Sequence, residues 1–537
     1  MSTQITPLDW FIIGGYLCGL IALSAWLARA QHSRGDYYVA GRNTGPWPIA
    51  ISVMATQCST NSILGAPAFV AFAAGGGLVW LQYELAVPVA MILVMVFLLP
   101  LFRKLELISV YDYLERRFDL STRLCLSGTF QFVRAFATAV TVYSISIVVE
   151  LISGLPFFWS VVLLGAITVV YDVLGGIRAV MYSDVLQMVI LIGVLFLLFS
   201  ILLDSVGGFG QLLASLPSDR REAVDFAHHG LGDGHDFAFW PMLLGGVFLY
   251  VSYYGCDQSQ VQRELCARSI DDGNRALFIN GLLRFPLVLL YCLIGAAIAV
   301  FAADDPGFIE SLPHSDGIPN YNLAVPVYMI QQLPTGVVGI ALVALFAAAM
   351  SSLDSVLNSL SATTMEDFVR RFHQGRPWSD EQELQYSRLL TVMWGAVTLV
   401  LAFYVSEIAD TVLVAINKIG SLINGPVLGV FALGILTRRC NGTGAKAGLA
   451  AGFGLNILCW QVLPRLSWLW WNVSGFMFTV AVGYAVSVAG SKPAKNLDGL
   501  LWTLNHYRHF GFTVNWLPRY AILAGWAAVL LGFLALF

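Results

Sequence analysis

The stretch GPWPIAISVMATQCSTNSILGAPAFVAF, Gly45 to Phe72, decides how the rest of the chain is read. It is long and apolar enough to cross a bilayer, for which a helix needs about 20 residues. Yet its middle, Thr56 to Ser62, is a run of hydroxyls, amides and one thiol, followed by Gly65 and Pro67. Irregular backbone at membrane depth persists only where it faces protein or a wet cavity. A second stretch behaves alike: AFWPMLLGGVFLYVSYYGCDQSQVQREL, Ala238 to Leu265, is interrupted from Ser252 to Gln260. Two interrupted helices separated by an odd number of spans point in opposite directions, the signature of an inverted repeat with its substrate at the midplane. The competing reading, packing through small residues, accounts for one such segment more easily than for two at matching positions.

The composition of the whole chain supports a membrane protein. Of its 537 residues, 58% are hydrophobic and only 12% charged, with a mean hydropathy of +0.74; soluble chains carry about 25% charged residues. Barrel strands would appear as short alternating segments, so the expectation is an all-α polytopic protein of about 14 transmembrane helices. The candidate spans are 8–29, 46–73, 78–102, 124–153, 156–174, 180–204, 238–262, 273–303, 324–369, 385–405, 410–437, 444–463, 467–490 and 518–537. The 324–369 block exceeds one crossing and is read as an extended outer piece, a long helix and an inner extension. One integral-membrane domain is expected, with inverted repeats at 46–204 and 238–437 and peripheral helices at 8–29 and 444–537.

Basic residues orient it. With the N-terminus outside, inner loops hold 23 of the 29 Lys and Arg residues, among them Arg103, Lys104, Arg116, Arg117, Arg123, Arg263, Arg370, Arg371, Arg376, Lys492 and Lys495. Only Arg220, Arg221 and Arg465 fall outside, and Arg134, Arg284 and Lys418 lie within spans. This asymmetry predicts a multi-pass plasma-membrane protein with both termini on the outer side.

Several classes are disfavoured. The eight cysteines show no CxxC or Cys/His spacing, so neither a disulfide framework nor a zinc site is implied. Walker and nucleophile-elbow signatures are missing, as is HExxH, which disfavours an ATP-driven pump, an enzyme or a nucleic-acid binder. The first apolar run lacks a preceding basic region and reads as a spanning helix, not a signal peptide. The loop at about 205–237 places His228, His229 and His235 near Asp225, Asp233 and Asp236; a metal site is conceivable there, but a solvated loop is the preferred reading.

Ordered along the chain stand DYYVAGRNTGPWPIAISVMAT, SVYDYLERRFD, YDVLGGIRAVMYSDVLQMVIL, YYGCDQSQVQREL, MSSLDSVLNSLSATTMEDF and GPVLGVFALGILTRR. Through these segments, from about residue 10 to 490, the chain resembles the sodium:solute symporter family, most nearly its monocarboxylate, multivitamin and iodide branch. The resemblance implies a LeuT-type 5+5 inverted-repeat core with flanking helices, and secondary active transport of a small-molecule substrate driven by Na+ across the lipid bilayer. A monomer suffices for such transport.

The family's sodium site carries over motif by motif. It implies backbone carbonyls at Ala55 and Cys58 on the first broken helix, the carbonyl of Ala348, and the hydroxyls of Ser351 and Ser352. Sodium is a hard cation and favours such oxygen ligands. Some members have a second site, which here would use Asp184, Asp354 and Ser355, with Ser351 able to join from the same helix face. Asp354 departs from the family pattern of a small residue or hydroxyl. A carboxylate within a span costs about 2.5–3.5 kcal/mol on insertion scales, so packing alone does not explain it. Asn358 and Ser359 are read as packing residues.

For the solute, the resemblance implies Arg284, Lys418 and Glu84 at positions where sugar-carrying relatives contact substrate, and Tyr253 as an aromatic inner gate. Gln57, Ser62 and Ser252 line the broken segments. Arg284 and Lys418 together suggest an anion such as a monocarboxylate, because Arg pairs carboxylates bidentately. Internal pairing of Glu84 with either cation would instead leave a neutral site. Arg134 is assigned no place in the solute site, and a scaffold role is one reading left open for it. A monoanion moving with one sodium gains nothing from the membrane voltage, whereas a second sodium restores ~2.3 kcal/mol per ~100 mV. A sodium-coupled sugar symporter and a passive channel remain the alternatives.

Overall fold

The computed structural model describes residues 5–29, 31–315, 317–375, 377–405, 412–490 and 497–537. Arg376, Lys492 and Lys495 of the basic set, and the start of the 410–437 span, lie outside them. The principal helices are α1 (Pro7–Ala28), α2 (Pro46–Gln57), α3 (Thr60–Phe72), α4 (Leu78–Lys104), α5 (Leu120–Ser153), α6 (Phe157–Ser205), α7 (Gly246–Cys256) and α8 (Gln258–Glu264). There follow α9 (Ile270–Asp304), α10 (Ala324–Gln332), α11 (Val337–Thr363), α12 (Asp380–Ala402), α13 (Val412–Leu436), α14 (Gly442–Val462), α15 (Trp470–Ala489) and α16 (Leu517–Leu534). Among the described residues ten helices have the length and apolarity to cross a membrane.

The polar interruptions end helices where they fall. At Cys58 the backbone leaves the helical region (φ −84°, ψ 60°), and α3 restarts two residues later. Asp257 (φ −90°, ψ 122°) separates α7 from α8, and its carboxylate caps the new helix by accepting from the Ser259 amide at 2.9 Å. The long helix α6 is likewise two segments, hinged at Gly176 with φ 54°. A Cβ there would stand 2.7 Å from the Tyr37 ring, so the hinge requires glycine.

Packing sorts the helices into a core and a periphery. The apolar window of the segment containing α11 is 89% buried, against 22% for α1, 28% for α12 and α15, and 17% for α16. Phe11, Leu389, Met477 and Val529 are all at least 60% exposed, and in a hydrophobic chain such faces are where lipid sits. Helices α14 and α15 approach through glycines: a Cβ at Gly448 or Gly452 would overlap the Thr479 backbone or hydroxyl.

Two expectations change. The start of the 324–369 block is helical, not extended: α10 packs against α3, and Ala324 to Met329 are all buried. Arg263, counted with the inner loops, is fully buried, because the break at Asp257 turns α8 into the protein. Arg123 is nearly as buried and joins Asp367, at the end of the α11 segment, to Asp112 and Glu115.

Candidate functional site

The end of α2 meets the middle of α11. Ser351 Oγ donates toward the carbonyls of Ala55 (3.4 Å) and Ala348 (3.2 Å), while Ser352 Oγ lies 3.4 Å from the Thr56 carbonyl and 3.2 Å from that of Ala348. Oxygens 3.2–3.4 Å apart have the edge length of a shell with metal–oxygen distances of about 2.4 Å, the range of a hard cation of this size. Four of the five expected first-site groups therefore converge. Cys58 forms the break itself, and its thiol accepts from Arg284 Nη1 at 2.9 Å.

One turn along α11 lies a second polar cluster with no exposure to solvent. Asp354 accepts from the Tyr171 hydroxyl at 2.7 Å and from Ser355 at 3.2 Å. Asp184 accepts from Ser52 at 2.5 Å, and its other oxygen has no partner. Arg263 joins the two sides: its Nε donates to Ser52 at 2.8 Å, Nη2 donates to Ser355, and Nη1 donates to the Ser259 carbonyl. Asp172 is also fully buried, with neither carboxylate oxygen hydrogen-bonded. Three carboxylates thus face one guanidinium, and buried charge left uncompensated is costly. Ser52, Tyr171 and Asp172 were not singled out from sequence, where their only signal was that they are polar residues in apolar spans; Arg263 was counted as one more inner-loop cation.

Beside the first of these clusters lies a cavity of about 920 Å³. Gln57, Ser62, Glu84, Tyr253 and Arg284 line it, together with Thr56, Asn61, Thr141, Asn322 and Asn424. Thr56 and Ser352 belong to the cavity wall and to the cation-sized ring at once. Arg284 pairs with Glu84 at 3.3 Å, so this part of the wall carries no net charge.

Arg134, whose role the sequence left open, lines the cavity. Its Nε and Nη2 both reach Asp257 Oδ2 at 2.6 Å, and its guanidinium lies 4.8 Å from the Tyr253 ring centre. Ser252 lines not the main cavity but a small neighbouring one of about 30 Å³, which shares Arg134 and Asp257 with it. Lys418 also stands outside it, 5.9 Å from the Trp471 ring centre. Asn417, Ile419, Gly420 and Asn424 of α13 line the cavity, and Lys418 does not. The charge of Lys418 is felt instead by Asp236, whose carboxyl burial pushes up and Lys418 pulls back down.

Known proteins place this geometry. The sequence pattern of the sodium:solute symporter family matches residues 37–452. The sodium/sialic acid symporter NanT of Aliivibrio fischeri is 30% identical over 89% of this chain and 92% of its own. Human sodium-coupled monocarboxylate transporter 1 is 28% identical over 84% of this chain and 72% of its own. A solved substrate-bound, outward-open sodium-coupled sialic acid symporter superposes with a TM-score of 0.81 at 26% identity, covering 92% of this chain and all of that one. The fold is therefore LeuT-like and sodium is the coupling ion. The chain belongs to the sodium:solute symporter family.

Proposed function

We propose that this protein is a plasma-membrane importer that uses sodium to accumulate a polyhydroxylated carboxylate, the chemical class of the sialic acid named for two relatives. The observation that carries the coupling is the double membership of Thr56 and Ser352, through which a bound cation braces the wall that holds the solute. Arg134 carries the choice of an acid. Asp257 engages only the Nε–Nη2 edge with one oxygen, and its other oxygen caps α8, so Nη1 is left to serve an incoming carboxylate. The hydroxyls and amides of the wall suit a solute rich in hydroxyls, and the volume exceeds the needs of a small monocarboxylate.

The first sodium occupies the ring of Ala55, Cys58, Ala348, Ser351 and Ser352, which the Thr56 carbonyl also borders. The second occupies the cluster of Asp184, Asp354 and Ser355, where carboxylates outnumber the guanidinium. The breaks at Cys58 and Asp257 each fall in the first helix of a repeat, 46–204 and 238–437, as an inverted pair requires. Both termini lie outside, following the basic residues.

Because the Glu84–Arg284 pair is neutral, a sugar without a carboxylate is the second reading. Uptake into proteoliposomes of sialic acid, glucose and lactate, with and without a sodium gradient, separates the two. The acidic sugar is expected to accumulate only with sodium. Equal accumulation of glucose, or sialic acid uptake indifferent to sodium, refutes the proposal.

A further inference from the structure

We propose that Asp225, His228 and His235, in the loop between α6 and α7, form a binding site for a transition-metal dication of the zinc class. One ligand atom from each residue can be chosen so that all lie within 4.8 Å of one another. His228 Nδ1 stands 3.0 and 2.9 Å from the two Asp225 oxygens, and the His228 and His235 rings stack with centroids 3.5 Å apart. Imidazole with carboxylate is a donor set that suits zinc, whose ligand atoms in a tetrahedral shell stand about 3.3 Å apart.

The loop is built to keep these groups together. In HHGLGDGHD, His228 to Asp236, three glycines adopt left-handed backbone: Gly230 (φ 63°), Gly232 (φ 96°) and Gly234 (φ 81°). Asp233 ties the coil from within, accepting from the amides of His229 (2.8 Å), Gly230 (3.0 Å) and His235 (3.0 Å). Stacked rings keep their in-plane nitrogen lone pairs in two nearly parallel planes, so His235 must swing toward the ion. It is exposed and follows Gly234, which makes that rotation inexpensive. The ion takes the place of the hydrogen bond between His228 Nδ1 and Asp225, neutral His228 carrying its one proton on Nε2, and water completes the shell.

The same loop grips the transporter. The Asp225 amide donates to Gln82 Oε1 at 3.2 Å, Gln82 Nε2 donates to the Phe237 carbonyl at 2.5 Å, and Phe237 packs 4.8 Å from Phe69. On its other side Trp470 Nε1 donates to the His229 carbonyl at 2.9 Å. A metal joining residue 225 to residue 235 therefore stiffens a strap across α3, α4 and α15, and slows the movements that transport requires. This effect on transport rests on the function proposed above; the binding does not.

The test is calorimetric titration of the purified full-length protein with Zn2+, with Mg2+ as control. The expected result is one Zn2+ per chain in the micromolar range and none for Mg2+. His228→Ala and His235→Ala should each weaken it at least about tenfold, while His229→Ala binds as the parent does. Sodium-dependent thermal stabilisation of each variant serves as the folding check. Absence of micromolar Zn2+ binding, or parental binding by both His228→Ala and His235→Ala, overturns the proposal.

Discussion

Removing the two hydroxyls that α11 offers to the first cation should cripple sodium binding without unfolding the protein. Ser351 Oγ and Ser352 Oγ both lie 3.2 Å from the Ala348 carbonyl and 3.4 Å from carbonyls at the end of α2. An interaction between a hydroxyl and a charged group contributes about 1.5–3 kcal/mol. Loss of either one therefore weakens sodium about 12- to 140-fold, at 1.4 kcal/mol per decade. The two share Ala348, so their effects need not add, but the pair loses at least as much as either alone. A ligand at about 100 times its Kd stabilises the folded state by about 2.7 kcal/mol; a site weakened about 100-fold retains only about 0.4 kcal/mol at the same concentration. The assay is the apparent Tm of Ser351→Ala/Ser352→Ala against sodium concentration, with choline holding ionic strength constant. Its sodium-free Tm should stay near the parent's, because each hydroxyl makes only long contacts there. A sodium midpoint equal to the parent's would refute the assignment of the ring.

Three further outcomes follow from the same geometry. Arg134→Lys should weaken an acidic solute by about 1.5–3 kcal/mol, since an ammonium cannot serve Asp257 and a carboxylate in the same fork; the sodium-only Tm shift should be unchanged, and equal losses for neutral and acidic solutes would speak against it. Asp354→Asn should lower the measured sodium-to-solute ratio from two to one and abolish the inward current carried with a monoanion, each charge being worth ~2.3 kcal/mol per ~100 mV; an unchanged ratio would remove Asp354 from the second site. Lys418→Gln should alter solute affinity by no more than about 0.5 kcal/mol, because its side chain lies over Trp471; a larger, anion-selective loss in uptake would return Lys418 to the cavity.

The sequence by itself determined that the chain is helical and where two of its apolar segments fail. Thr56 to Ser62 and Ser252 to Gln260 could not continue an apolar helix, and the structure breaks at Cys58 and Asp257 within those runs. It also brought Ser351, Ser352, Asp354 and Ser355 to notice, because hydroxyls and a carboxylate in hydrocarbon need a reason. What it could not supply was direction. Arg134 and Lys418 are both cations within spans, yet one lines the cavity and the other rests on an indole. Arg263 looked like one more basic residue at a helix end and proved to bridge Ser52 and Ser355, residues 211 and 92 positions away. Glu84 and Arg284 neutralise each other across 200 residues. Local composition settles whether a segment is helical, since backbone hydrogen bonding and hydrophobicity act over a few residues. Which face of that helix meets the solute depends on its rotation about its own axis. That rotation is set by packing against segments far away in the chain, and only the tertiary structure decides it.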